Sequence, residues 1–242
     1  MTYSTKVVPA TFLSRPNRFI AHVELDGKTE TVHVKNTGRC KELLLPGATV
    51  YLAATENPAR KTPYDLIAVD KILSDGHTET INMDSQAPND IAAEWLPASG
   101  LFHPDAQVRR EVTHGESRFD FCIENADGRG KTAYLEVKGC TLEREGVALF
   151  PDAPTERGVK HIRELIGLAQ SGHPAYILFV IQMKGVHTFR PNDETHPAFG
   201  DALREAHAAG VHILAVDCRV IPSTVTADAP IFVDLSKKGA NP

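Results

Sequence analysis

The sequence predicts a two-domain chain, a small all-β domain followed by a mixed-sheet α/β domain, and three observations carry that reading. Residues 1–83 consist of short runs that alternate apolar with polar and are broken by Gly and Pro, the pattern of half-buried strands. From Asn89 onward helical stretches alternate with strand-like runs, two of them almost continuously apolar, as in a sheet covered on both faces. A length of 242 residues suits two such units at roughly 150 residues per domain. The boundary is expected near Met83, giving domains 1–83 and 84–242.

In the first domain the expected strands are Val7–Leu13, Phe19–Glu24, Glu30–Val34, Ala48–Ala54, Leu66–Ile72 and Thr78–Met83. Asp26-Gly27 is a hairpin turn signal between the second and third. Pro46-Gly47, Pro58 to Pro63 and Asp75-Gly76 punctuate the rest, and Lys41–Leu45 reads as a short helical piece. A five-stranded barrel of the OB type and a plain β-sandwich both satisfy this count. In the second domain a helix is expected over Asn89–Leu96, then strands over Arg118–Ile123, Thr132–Lys138 and Val147–Phe150. The helix Glu156–Gln170 has Thr155 at its N-cap and Gly172 past its end. Ala175–Gln182 and Val211–Val216 read as buried strands around a helix at Asp201–Ala209, and residues 236–242 as a loose tail.

Composition bounds the function. Hydrophobic residues at 42% and charged residues at 24% exclude disordered, collagen-like and coiled-coil chains. No window approaches the ~18 apolar residues of a membrane helix, and residues 1–16 hold no apolar secretory core. Four scattered cysteines without a CxxC pair fit a reducing cytoplasm. HExxH, GxGxxG and GxxxxGK[ST] are all absent, which sets aside zincin and P-loop chemistry. The net charge of −5 argues against a chain that coats nucleic acid, so any such role rests on local clustering. Between Met1 and Leu45 seven basic residues (Lys6, Arg15, Arg18, Lys28, Lys35, Arg39, Lys41) face four acids, a local excess of three.

The chemistry centres on Asp120 and, sixteen positions later, Glu136-Val137-Lys138. A strand period of two puts Asp120 opposite in face to Phe119, Phe121 and Ile123, and Glu136 with Lys138 opposite to Leu135 and Val137. An antiparallel pairing through Asp127-Gly128 brings Asp120 beside Glu136. Two adjacent carboxylates repel unless a proton or cation lies between them, and Mg²⁺ or Mn²⁺ takes such oxygen ligands together with phosphate. The main-chain carbonyl of Val137 is a natural third metal ligand, and Lys138 is placed to orient water or offset phosphate charge. A charged, solvated sheet face is the competing account of the same spacing. Arg157, Lys160 and His161 lie near a helix N-terminus, where cations oppose the dipole, so an anion is expected there. Glu94 is a further candidate ligand, although a solvent-facing helix glutamate is the simpler account. The cysteines are read as core fillers.

Long words in fixed order add a resemblance. Asn36-Thr37-Gly38-Arg39-Cys40-Lys41-Glu42-Leu43-Leu44, Arg118-Phe119-Asp120-Phe121, Glu136-Val137-Lys138-Gly139-Cys140-Thr141-Leu142, Phe150-Pro151-Asp152-Ala153-Pro154-Thr155 and Arg157-Gly158-Val159-Lys160-His161 resemble the sugar fermentation stimulation protein family. The resemblance spans essentially the whole chain. It implies an OB-like first domain, a second domain with the PD-(D/E)xK nuclease fold, DNA binding with little sequence preference and a regulatory role in maltose utilisation. It also sets Asp120, Glu136 and Lys138 on the nuclease-type acid, acid and lysine. Three functions follow as expectations: a Mg²⁺- or Mn²⁺-dependent nuclease, a non-catalytic DNA-binding regulator, and a protein-interaction module. Arg15, Arg18, Phe19, Lys35, Asn36, Arg39 and Lys41 form the expected nucleic-acid surface of the barrel, with Arg157, Lys160 and His161 at the approach to the carboxylates.

Overall fold

Five alternating strands at the N-terminus curl into a closed barrel, as a computed structural model covering residues 1–36, 38–57, 59–73, 76–115 and 117–237 describes. The strands β1 (Val7–Asn17), β2 (Ile20–Leu25), β3 (Lys28–Val34), β4 (Thr49–Ala54) and β5 (Tyr64–Ile72) run in the order β3-β2-β1-β4-β5. Closure comes from β5 returning to β3 in parallel, His33 against Asp65 and Val34 against Leu66. That pairing selects the OB-type barrel over a sandwich. Inward side chains such as Phe12, Val23, Val32, Val50, Leu52 and Leu66 fill it. Asp26 and Gly27, at φ 52° and 74°, make the β2–β3 turn in the left-handed conformation that matches strand twist. The expected helical piece at Lys41–Leu45 is one turn only, in which Leu43 and Leu44 donate to the Cys40 carbonyl. Of the sequence features above, Thr37, Pro58, Asp75 and the tail beyond 237 lie outside the described residues.

The strand β6 (Thr78–Asn82) pairs with β5 and leads into the second domain. There β7 (Gln107–His114), β8 (Ser117–Glu124), β9 (Ala133–Cys140), β12 (Ala175–Ile181), β14 (His212–Ile221) and β15 (Thr224–Pro230) form a sheet in the order β15-β14-β12-β9-β8-β7. Its centre, β9-β12-β14, is parallel and its flanks antiparallel. The helix α1 (Ala87–Trp95) packs on one face, while α2 (Glu156–Gln170) and α3 (Pro197–Ala208) pack on the other. Cover on both faces explains the unbroken apolar run of β12. Thr155 caps α2 as expected, its hydroxyl accepting from the Gly158 N–H at 3.1 Å. The strands β10 (Leu142–Arg144), β11 (Val147–Phe150), β13 (Thr188–Pro191) and β16 (Phe232–Val233) form a smaller sheet beside this one.

A buried polar network joins the two halves. Gln182 donates to the Asn82 side chain at 2.7 Å and to the Asp84 carbonyl at 3.0 Å. Asn82 donates to the Tyr3 hydroxyl, and Tyr3 to Asp84. Lys35 of the barrel pairs with Asp84 at 2.8 Å, and Asp84 is 1% exposed. Removing one partner of a buried pair strands the other charge. Lys35→Ala should therefore cost about 3 kcal/mol in urea unfolding, whereas Lys41→Ala on the barrel surface should stay within about 0.5 kcal/mol.

Candidate active site

The antiparallel strands β8 and β9 part where the carboxylates lie. Pairing of β8 with β9 covers Phe121–Leu135, Cys122–Tyr134 and Ile123–Ala133, so the next residues in register are Asp120 and Glu136. A continuing ladder would give the Val137 N–H to the Phe119 carbonyl. Instead it donates to Asp120 Oδ2 at 2.7 Å, and Asn89 of α1 donates to Asp120 Oδ1 at 3.0 Å. The N–H and C=O of one strand residue point to the same edge, so the Val137 carbonyl opens into this fork too.

Glu136 is 3% exposed, because α2 lies over the face that alternation had assigned to solvent. Its Oε1 accepts from Lys138 Nζ and pairs with His161 Nδ1. Its Oε2 is buried with no partner. Arg157 Nε donates to His161 Nε2 at 3.3 Å, which assigns the imidazole proton to Nδ1, facing the carboxylate. Burial and then the Glu136 charge push the Asp120 carboxyl above its ordinary range. Burial also pushes Glu136 upward, but the His161 hydrogen bond and the Lys138 charge outweigh it and leave Glu136 below its ordinary range. The pair is thus polarised, its two carboxyls shifted in opposite directions, Asp120 upward and Glu136 downward.

Arg157 and His161 reach this site, one helical turn apart on α2. Lys160 does not: one residue of helical rotation turns it away, 73% exposed and 3.7 Å from Glu164. Three barrel residues expected to touch nucleic acid are instead structural. The Arg15 guanidinium donates to the carbonyls of Arg39, Arg18 and Asn36 at 2.7–2.8 Å. Lys35 holds Asp84, and Asn36 donates to the Met83 carbonyl and accepts from Gly38. Arg18, Arg39 and Lys41 remain exposed along a groove of about 730 Å³, with Phe19 49% exposed on the hairpin beside them. Glu94 pairs with the chain's amino terminus, away from the fork. Among the described residues no three His, Cys, Asp or Glu side chains are placed to hold a metal ion together, so the fork offers two carboxylates and a carbonyl. Asn89, Asp152 and Gln182 were not singled out from the sequence. Asn89 braces Asp120, while Asp152 and Gln182 line a pocket of about 290 Å³ where the Asn36, Gly139 and Phe150–Thr155 words meet.

Residues 13–76 match the family model described as the SfsA N-terminal OB domain, and residues 86–224 match the sugar fermentation stimulation protein RE domain. A sugar fermentation stimulation protein homolog of Desulfitobacterium hafniense strain Y51 is 53% identical over 231 residues, 96% of this chain and 97% of that one. A homolog from Ruminiclostridium cellulolyticum is 51% identical over 224 residues, covering 93% and 96%. Among solved structures, Pyrococcus furiosus SfsA in complex with Ca²⁺ is 30% identical with a TM-score of 0.81, covering 97% of this chain and 98% of that one.

The polarised pair has a pH signature. A raised Asp120 carboxyl means the folded chain holds that proton more tightly than the unfolded chain. Its contribution to stability is complete below the ordinary carboxylate range and is lost as pH rises through the raised value. Asp120→Asn, which keeps an oxygen for the Val137 N–H, should gain on the parent protein as pH rises. Glu136→Gln should behave oppositely, losing most at neutral pH and converging with the parent in acid, because Glu136 is held low. Urea midpoints measured in EDTA from about pH 2.5 to pH 8 check both signs.

Proposed function

The chain belongs to the sugar fermentation stimulation protein family, and from that premise we propose that it binds nucleic acid, DNA with little sequence preference, and hydrolyses phosphodiester bonds at the fork with a divalent cation. The observation that carries this reading is the facing pair Asp120 and Glu136, with one buried Glu136 oxygen left without a partner. A hydrogen-bonded neutral core would not leave such an atom orphaned. An all-oxygen donor set of Asp120, Glu136 Oε2 and the Val137 carbonyl fits a hard cation such as Mg²⁺ or Mn²⁺. The related P. furiosus protein was solved in complex with Ca²⁺, a cation of the same hard class.

When bound there, such a cation supplies Lewis-acid polarisation of a phosphate oxygen and a water acidic enough to attack near neutral pH. The chain's own residues do the rest. Lys138, held by Glu136 Oε1, presents an ammonium to the charge that builds on the phosphoryl oxygens. Arg157, exposed at the start of α2 and steadied by His161, grips a non-bridging phosphate oxygen. Arg18, Arg39 and Lys41 track the backbone along the barrel groove. Two carboxylates beside a phosphate path repel the strand unless a cation neutralises them, so a pure binding role leaves their pairing without a purpose. All four cysteines are free and buried, which suits the cytoplasm proposed as its setting. No helix of the described residues is long and apolar enough to cross a membrane.

The test is nicking of supercoiled plasmid with Mg²⁺, Mn²⁺ or EDTA, alongside calorimetric titration of the metals. The parent should cut only with metal. Glu136→Gln should abolish both cutting and the metal heat, while Lys138→Ala should keep the heat and slow cutting about 10²-fold. DNA binding without metal heat or nicking would leave the alternative, a DNA-binding regulator on the same scaffold.

A further inference from the structure

We propose that the 290 Å³ pocket between barrel and sheet domain receives one unpaired guanine of a nucleic-acid strand, read by the Asp152 carboxylate. The proposal rests on the nucleic-acid-binding reading above and is independent of catalysis. Its basis is an accounting of the pocket's hydrogen-bonding groups. Asn36 spends its amide on the Met83 carbonyl and the Gly38 N–H. Ser85 donates to the Lys35 carbonyl, and the Thr155 hydroxyl accepts from Gly158. Gln182 commits its NH₂ to Asn82 and Asp84, leaving its Oε1. Asp152 has no hydrogen bond or ion pair to any described residue. Among the described residues, what faces the pocket unspent is therefore mostly acceptor: a carboxylate and an amide oxygen, with the Thr141 and Thr155 hydroxyls beside them. Such a pocket demands a ligand rich in donors.

The adjoining groove makes the opposite demand. Gly38, Ala153 and Pro154 line both cavities, so the two adjoin, and the groove carries Arg18, Arg39 and Lys41. A cationic rim attracts an anion that an acceptor-lined pocket rejects. A nucleic-acid strand satisfies both, with phosphates along the rim and a donor-bearing base in the pocket. Guanine alone presents two adjacent donors, N1–H and N2–H₂, on its Watson–Crick edge, the fork that a carboxylate accepts. Adenine and cytosine offer one amino group beside a ring acceptor, and thymine a single N–H between carbonyls. In a duplex that edge is occupied, so the base must be unpaired. The volume, just under the ~300 Å³ lower bound of ordinary ligand sites, suits one ring system rather than a nucleotide. Gly139 lines the pocket three residues along β9 from Glu136, about 10 Å at ~3.3 Å per residue, which keeps base and fork within a short span of one strand. A Cβ at Gly38 would stand 2.5 Å from Asp152 Oδ2, so this glycine keeps the carboxylate in place.

Fluorescence anisotropy with labelled single strands of dT carrying one central dG, dA, dC or deoxyinosine, in EDTA, tests the assignment. The dG strand should bind roughly tenfold tighter than all-dT, with deoxyinosine, which keeps N1–H and lacks the amino group, in between. Asp152→Ala and Asp152→Asn should reduce the preference to within about twofold while all-dT affinity and Tm hold, since Asp152 has no internal bond to lose. Gly38→Ala, which displaces the carboxylate, should weaken the preference as well. Equal affinity for all strands, or a preference that survives Asp152→Ala, overturns the guanine site while leaving the nucleic-acid reading intact. Failure of every strand to bind overturns both. A Ca²⁺ heat that vanishes in Asp152→Ala, without base preference in the parent, makes the pocket a cation site and overturns the proposal.

Discussion

A carboxylate placed in the centre of a sheet that is covered on both faces loses its water, and much of the second domain follows from compensating Glu136 for that loss. The effective desolvation penalty for such an ion is several kcal/mol before partners are added. Lys138 supplies one from the same strand face, two residues on. The other has to come from outside the sheet, and it arrives as His161 on α2. That fixes where α2 crosses β9, and hence where its first turn and the Thr155 cap must lie. The second carboxylate imposes the parting of the strands. Like charges directly opposed in a closed ladder destabilise it. At Asp120 the ladder is broken instead, and the carboxylate takes over the N–H that the strand has given up.

Local pattern was legible in the sequence, and remote partnership was not. Alternation located all six strands of β1–β6, five with ends within two residues and β1 with its end four residues short, and Thr155 announced its own helix. Barrel closure depends on His33 and Val34 meeting Asp65 and Leu66, residues some thirty positions away with no local signature, so barrel and sandwich were indistinguishable beforehand. The strands β7, β10, β13, β15 and β16 were not expected from the sequence, and β7 and β13 show why. The first is an edge strand with both faces largely exposed and little alternation, and the second is short and ends in proline. At the site, the approach of Asp120 to Glu136 was readable because a hairpin pairs residues by a constant sum, and the ladder that ends at Phe121–Leu135 leaves these two next to each other. Burial of Glu136 was not readable, since nothing local states which face a later helix will cover. His161 was accordingly expected to face phosphate, yet its nearer task is to hold Glu136.

Counting charges overstated the basic surface of the barrel for the same reason. Arg15 reads as a cation, but its fork is filled by three carbonyls, and Lys35 is neutralised by Asp84. Both serve to fix the segment from Lys35 to Arg39 against the hairpin and the second domain. The cations left on the groove are fewer, but they stand on a backbone that the buried ones hold still. A rigid rim loses little entropy when a strand is seated on it. The −5 net charge belongs to the whole chain and is therefore compatible with a local cluster of exposed cations on the groove.

The contact between the halves decides whether groove, pocket and fork act together. Domains joined by small polar interfaces generally move against one another. Here the joint is polar but buried: Asn82, Asp84 and Gln182 are each about 1% exposed, and each satisfies another across the boundary. Separating the halves would strand several donors and acceptors at once, a cost that grows with each member of a connected network. Asn36 belongs to this joint through Met83 and to the pocket wall through Gly38, so the wall cannot shift without breaking the joint. The distance from the barrel rim to the Asp120–Glu136 fork is then set by the fold rather than by a hinge. For the nucleic-acid strand proposed above, such a site would measure a fixed span, and its selectivity would reside in what the pocket along that span accepts.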